Sequence, residues 1–112
     1  MKLTGKAKML RVHIGAKDKW QGEPLHLALV KKCHELDLAG TTVYHGMEGY
    51  GASGRIHRQP AFRAGDEPMT VVAVDTQEKL DRAMPFLDEM VGSGLVAISD
   101  VDVILYRAEG RK

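Results

Sequence analysis

Hydrophobic and polar positions alternate at the start of the chain. Leu10, Val12 and Ile14 fall on one side of an extended segment and Met9, Arg11 and His13 on the other, which predicts a strand over residues 8–14. Residues 15–22 are a polar connection holding Trp20, the single tryptophan. The period then changes to that of a helix. Glu23-Pro24 opens it, with proline tolerated in the first turn, and Leu25, Ala28, Leu29, Cys33 and Leu36 recur on one face, with Gly40 as the expected C-terminal cap. Strand formers return at Thr41 and give way to glycine before residue 49, and a loop runs on to about residue 68. The apolar run from Met69 to Val74 predicts a third strand, one covered on both faces. Asp75 or Thr76 can cap a second helix, whose buried stripe is Leu80, Met84, Leu87 and Val91. Pro85 inside that stripe removes a ladder bond and predicts a kink near residues 81–84. Gly92-Ser93-Gly94 ends the helix. An extended pattern resumes at Leu95 and continues through Val101, Val103 and Leu105. The order is βαββαβ, an α+β arrangement of the ferredoxin-like kind: an antiparallel sheet with two helices on one face.

That arrangement leaves the other face of the sheet open. The third and fourth strands are apolar in both registers at several positions, so the open face needs a cover, and another copy of the same sheet is the simplest one. A closed homo-oligomer is expected.

The chain has 112 residues, 44% hydrophobic and 28% charged, which fits one soluble domain over residues 1–112. No run nears the roughly 18 apolar residues of a membrane span, and the start lacks the apolar core of a secretory signal. The single Cys33 excludes an intramolecular disulfide and suits a reducing compartment, so a cytoplasmic location is expected. The net charge of +1 hides an asymmetry: residues 1–63 carry 11 Lys or Arg against 5 Asp or Glu, residues 64–112 carry 5 against 10. Opposite halves attract within a fold or between subunits. With two Phe, three Tyr and one Trp, and no dense basic stripe, nucleic-acid binding is disfavoured.

Candidate chemistry concentrates in residues 46–58. Gly49, Gly51 and Gly54 leave backbone N–H groups uncovered, with Tyr50 and Ser53 between them, and Arg55, His57, Arg58 and Arg63 follow before any acid. This pattern suits a small anion. A second glycine turn, Gly92 and Gly94, occupies a related place after the second helix. The two turns can meet across a subunit boundary and offer N–H groups to a phosphate, with Arg55 or Arg107 supplying charge and Trp20 or Tyr50 stacking on a base. Other chemistries fit poorly. The five histidines and Cys33 lack zinc spacings. Ser53 does not sit in a Gly-x-Ser-x-Gly elbow. Asp100 and Asp102 share a strand face and read as solvated edge charges. No catalytic set emerges, and the chain is expected not to be an enzyme.

The segments Ile14-Gly15, Trp20 to Leu25, Ala39 to Val43, Gly49 to His57 and Met90 to Val96 together resemble a PII-like domain family of bacteria and archaea, related to the nitrogen regulatory PII signalling proteins. The likeness covers roughly residues 7–107, and its members are often encoded beside fluoride-exporting channels. It implies a PII-like trimer with an adenine nucleotide in clefts between subunits. Residues 49–68 would be the mobile effector loop, with residues 51–67 ordering on binding, and 92–94 the phosphate-holding turn. In PII proteins a basic residue follows that turn. Here Leu95 follows Gly94, which puts AMP and ADP on a level with ATP. The implied role is regulation of a membrane transporter, channel or other protein partner. The alternatives are a trimer binding a divalent metal or small anion, like the cation-tolerance proteins of the same fold, and a ligand-free adaptor.

Overall fold

Alternation at the start of the chain becomes β1 (Gly5–Gly15), whose Leu10, Val12 and Ile14 are buried while Arg11 and His13 stay exposed. The structure is a computed structural model describing residues 5–46, 48–49, 57–58 and 67–108. Two short strands follow, β2 (Lys19–Trp20) and β3 (Glu23–Pro24), then α1 (Leu25–Glu35), β4 (Thr41–His45), β5 (Glu48–Gly49), β6 (His57–Arg58), β7 (Pro68–Asp75), α2 (Gln77–Met90) and β8 (Leu95–Val103). The main sheet has the order β4-β7-β1-β8, antiparallel throughout, with α1 over β4 and β7 and α2 over β1. This is the expected ferredoxin-like arrangement.

The core lies between helices and sheet. Leu10, Val12, Met69 and Val71 of the sheet pack with Leu29 of α1 and Leu80 of α2, all at 2% exposure or less. Direct register partners share a face, so Val72, opposite Arg11, and Leu95, opposite His13, mark the other side. Among the described residues no helix covers that side. Leu95 is 59% exposed and Tyr44, opposite Thr70, 57%, and the face carries Arg11 and His13 without a carboxylate among the described residues. The helix layer also stops short of edge strand β8, leaving Val96 and Ile98 each 38% exposed.

Three details depart from the sequence reading. First, α1 ends at Glu35 rather than near Gly40. Leu38 must turn into the core, where it is 3% exposed, and the chain turns through Asp37 at φ 57°. The N–H of Leu38 reaches the Cys33 carbonyl and that of Asp37 the His34 carbonyl, a Schellman cap with aspartate in the place usually held by glycine. Second, residues 19–24 form a hairpin, not an irregular connection. Gln21 and Gly22 take φ of 48° and 84°, the two positive values a two-residue turn matching strand twist requires. Third, β8 ends at Val103, and residues 104–108 continue as an irregular tail.

Thr76 caps α2, its hydroxyl accepting the Lys79 N–H at 3.3 Å. Asp75, 2% exposed, instead accepts the N–H of Thr76 at 2.7 Å and of Ala39 at 2.8 Å, tying the α1–β4 connection to the root of α2. Pro85 lies exposed within α2, which continues past it to Met90. Because the ring gains little burial there, Pro85→Ala restores a ladder bond at small packing cost. It should stabilise the protein by about 1–3 kcal/mol. Thermal denaturation checks this, and a fall in Tm would show that packing around α2 depends on the proline.

Candidate functional site

The ends of several elements meet at one end of the sheet. Register places Gly15 opposite Pro68, His45 opposite Met69, and His13 opposite Leu95, so the close of β1, the base of the long loop and the turn into β8 lie side by side. Backbone bonds join them: Ala16 N–H to the Glu67 carbonyl at 2.9 Å, and Gly46 N–H to the Pro68 carbonyl at 2.7 Å. Asp18 shapes the exit from β1. Its carboxylate accepts the Gly15 N–H at 2.9 Å, and its carbonyl accepts the Leu25 N–H at 2.7 Å.

Two glycines are demanded by contact. A Cβ on Gly94 would stand 2.5 Å from the carbonyl oxygen of His13, so only glycine lets the turn after α2 lie against β1. A Cβ on Gly46 would stand 2.6 Å from the Pro68 ring. Gly46→Ala should therefore push the two sides of the loop base apart, at a cost of about 1–3 kcal/mol. A variant with unchanged Tm and unchanged amide exchange at Ala16 would count against that reading. Gly92 is different: a Cβ there meets nothing within 4 Å, and Gly92, Ser93 and Gly94 are exposed. The last backbone bond of α2 runs from the Val91 N–H to the Leu87 carbonyl, and among the described residues the next backbone pairing begins with β8 at Leu95. Beyond it the turn faces solvent, as an anion-binding turn must.

Of the sequence-predicted loop residues, Gly49 pairs with His57 and Glu48 with Arg58 in the β5–β6 ladder, so the loop folds back on itself at its base. Tyr50, Gly51, Ser53, Gly54 and Arg55 lie outside the described residues, as does Arg63. Trp20 is half-buried on β2 and packs against the core, so part of its surface is already used. Arg107 sits at the other end of the molecule. The nine residues of β8 span roughly 30 Å at about 3.3 Å per residue, and Arg107 follows beyond their far end, next to Tyr106, whose hydroxyl is held at Ala39 just before β4. One copy cannot bring Arg107 and the glycine turn to the same phosphate.

A cleft of about 370 Å³ lies at that far end, lined by Lys6, Lys8, Gln77, Asp100 and Asp102 with Ala7 and Val101. Lys8 pairs with Asp100, and this bond and its charge hold the Asp100 carboxyl below its usual value. Asp100 is thus an ion-pair partner rather than only a solvated charge. Cys33 is buried, and desolvation raises its thiol pKa against a smaller lowering by the Thr41 hydrogen bond, so it stays a protonated core residue. Among the described residues no three His, Cys, Asp or Glu side chains are grouped to hold a metal, and no helix is long and apolar enough to cross a membrane.

Sequence reasoning missed the approach of Gly46 to Pro68, the role of Asp18 and the Trp20 hairpin. Gln21-Gly22 between two short segments was the available signal for the hairpin. Nothing local marks Gly46, since its constraint comes from Pro68, distant in sequence.

The four-stranded order, the two helices on one face and the glycine turn against β1 define a PII-like α+β domain. Solved structures share this fold. A putative PII-like signaling protein from Thermus thermophilus superposes with a TM-score of 0.69 at 14% identity, covering 92% of this chain and 94% of that one. CPII, a nitrogen regulatory PII-like protein from Thiomonas intermedia K12 bound to ADP, AMP and bicarbonate, gives 0.60 at 19% identity over 88% of each chain. The divalent ion tolerance protein CutA1 from Ehrlichia chaffeensis gives 0.55 at 10% identity, covering 92% and 86%. The chain itself belongs to the DUF190 family, described as Uncharacterized ACR, whose model matches residues 7–103. Relatives include UPF0166 proteins of Aquifex aeolicus, 32% identical over 88% of this chain and 94% of that protein, and of Methanocaldococcus jannaschii, 33% identical over 93% and 95%.

Proposed function

We propose that this chain is a non-enzymatic PII-like regulatory protein of the cytoplasm that binds AMP, ADP or ATP between the subunits of a homotrimer. The observation that carries this reading is the division of candidate phosphate contacts between opposite ends of the sheet. Gly92 to Gly94 offer open N–H groups at one end and Arg107 a guanidinium at the other, so both reach one ligand only when a second copy supplies the arginine. A sheet face on which Leu95 and Tyr44 stand exposed, with no helix over it among the described residues, gives copies a surface on which to associate. Nucleotides bound to a structural neighbour support the choice of ligand, by likeness of fold.

In this reading the loop from Gly49 to residue 68 changes state when nucleotide binds and alters contact with a transporter, channel or other protein. A ligand shifts such an equilibrium only by its difference in affinity for the two states. The β5–β6 ladder pairs Gly49 with His57, so the change either breaks this pairing or carries the paired strands together. Calorimetry with AMP, ADP and ATP, combined with sedimentation, tests the reading. Expected are a trimer and saturable heat with at least one nucleotide; absence of heat with all three overturns it. The likeness to CutA1 favours a second reading, a trimer binding a divalent metal or small anion. Metal analysis of the purified protein separates the two.

A further inference from the structure

Residues 104–108 leave the end of β8 and carry Arg107. Burial of their apolar side chains does not hold them, since Ile104 is 88% and Leu105 61% exposed. Tyr106 does hold them. Its hydroxyl donates to the Ala39 carbonyl at 3.0 Å, across the end of the sheet from the β8 edge to the start of β4. The anchor point is itself fixed. Ala39 N–H donates to the buried Asp75 carboxylate, which also accepts the N–H of Thr76 at the cap of α2. Lys79 Nζ donates to the Asp37 carbonyl at 2.7 Å, holding the same connection from the first turn of α2.

We infer that Tyr106 is a positioning residue for the nucleotide site: it fixes where the chain leaves the sheet, and so presents Arg107 to the glycine turn of a neighbouring copy. This rests on the intersubunit reading proposed above. The physical reason is preorganisation. A long cationic side chain on a loose tail must be ordered when ligand arrives, whereas a tail tied to the root of α2 bears less of that cost at binding. Tyr106 touches no ligand in this scheme and acts only through Arg107.

The experiment is a double-mutant cycle with Y106F, R107A and the double variant, reading ADP affinity by calorimetry beside Tm and sedimentation. Y106F should weaken ADP binding about five- to tenfold, the scale of one lost hydrogen bond, with Tm and oligomeric state close to wild type. In the R107A background the same change should cost nothing further, because the residue it positions is gone. A merely structural role predicts additive losses and a matching fall in Tm, and either result overturns the inference. So does a Y106F protein that binds ADP as tightly as wild type. Wild-type protein that binds no nucleotide removes the proposed function and this inference with it, whereas binding unaffected by Y106F removes the inference alone.

Discussion

Subunits carrying Gly92→Glu and subunits carrying Arg107→Ala should each assemble yet bind nucleotide poorly, and mixing them should restore binding. Gly92 has open space around its Cβ position, so a glutamate is accommodated while bringing a carboxylate to the turn where a phosphate would sit. Arg107 is exposed, and its truncation leaves the core untouched. Each uniform oligomer then has every site damaged, with affinity reduced on the order of 100-fold for the glutamate and about tenfold for the lost guanidinium. A mixed oligomer regains interfaces in which an unmodified turn from one subunit meets Arg107 of another. Binding capacity recovered after co-refolding, absent from unmixed controls, is the expected result. Strong binding by the uniform R107A protein would remove the arginine from the site, and failure of the mixture to recover would place both groups elsewhere.

Leu80→Ala should be the most damaging single truncation in the core. Leu80 has 0% exposure and stands on α2 against the sheet, so the change removes apolar contacts and leaves a cavity that packed neighbours fill only in part. The cost is about 2–5 kcal/mol, against roughly 5–15 kcal/mol for a whole domain. Denaturant titration should show a midpoint well below wild type with little change in slope. A drop under about 1 kcal/mol would mean that α2 settles onto the sheet once the side chain is shortened. The same substitution at Ile104, 88% exposed, should be nearly silent.

The contrast between those two residues shows what the sequence made legible. Periodicity identified the alternation of β1, the stripe of α1 apart from Leu36, and Leu80 and Leu87 of α2, whose buried stripe runs through Ala83 and Met90 where Met84 and Val91 were expected; the rule that places Leu10, Leu29 and Leu80 inside is local and repeated. It fixed the order of elements, and with it the fold. It did not mark where α1 stops, since Leu38 is drawn inward by the tertiary core and Asp37 takes the strained conformation this requires. The candidate site was legible in composition, as glycines and cations, but not in geometry. That Gly94 must lie on the His13 carbonyl, that Gly46 must clear Pro68, and that Arg107 and the glycine turn stand at opposite ends all depend on pairings between segments far apart in the chain. The tether from Tyr106 to Ala39 spans 67 positions and has no sequence signature.

The β5–β6 ladder also sets a length scale for any contact made by the stretch it closes. With Gly49 held opposite His57, seven residues, 50–56, separate the paired positions along the chain. At most about 3.5 Å of reach per residue, out and back, means that no residue between them can stand more than roughly 14 Å from that rung while the pairing lasts. A partner that reads this stretch must therefore approach close to the ladder, or the paired strands must move toward it together.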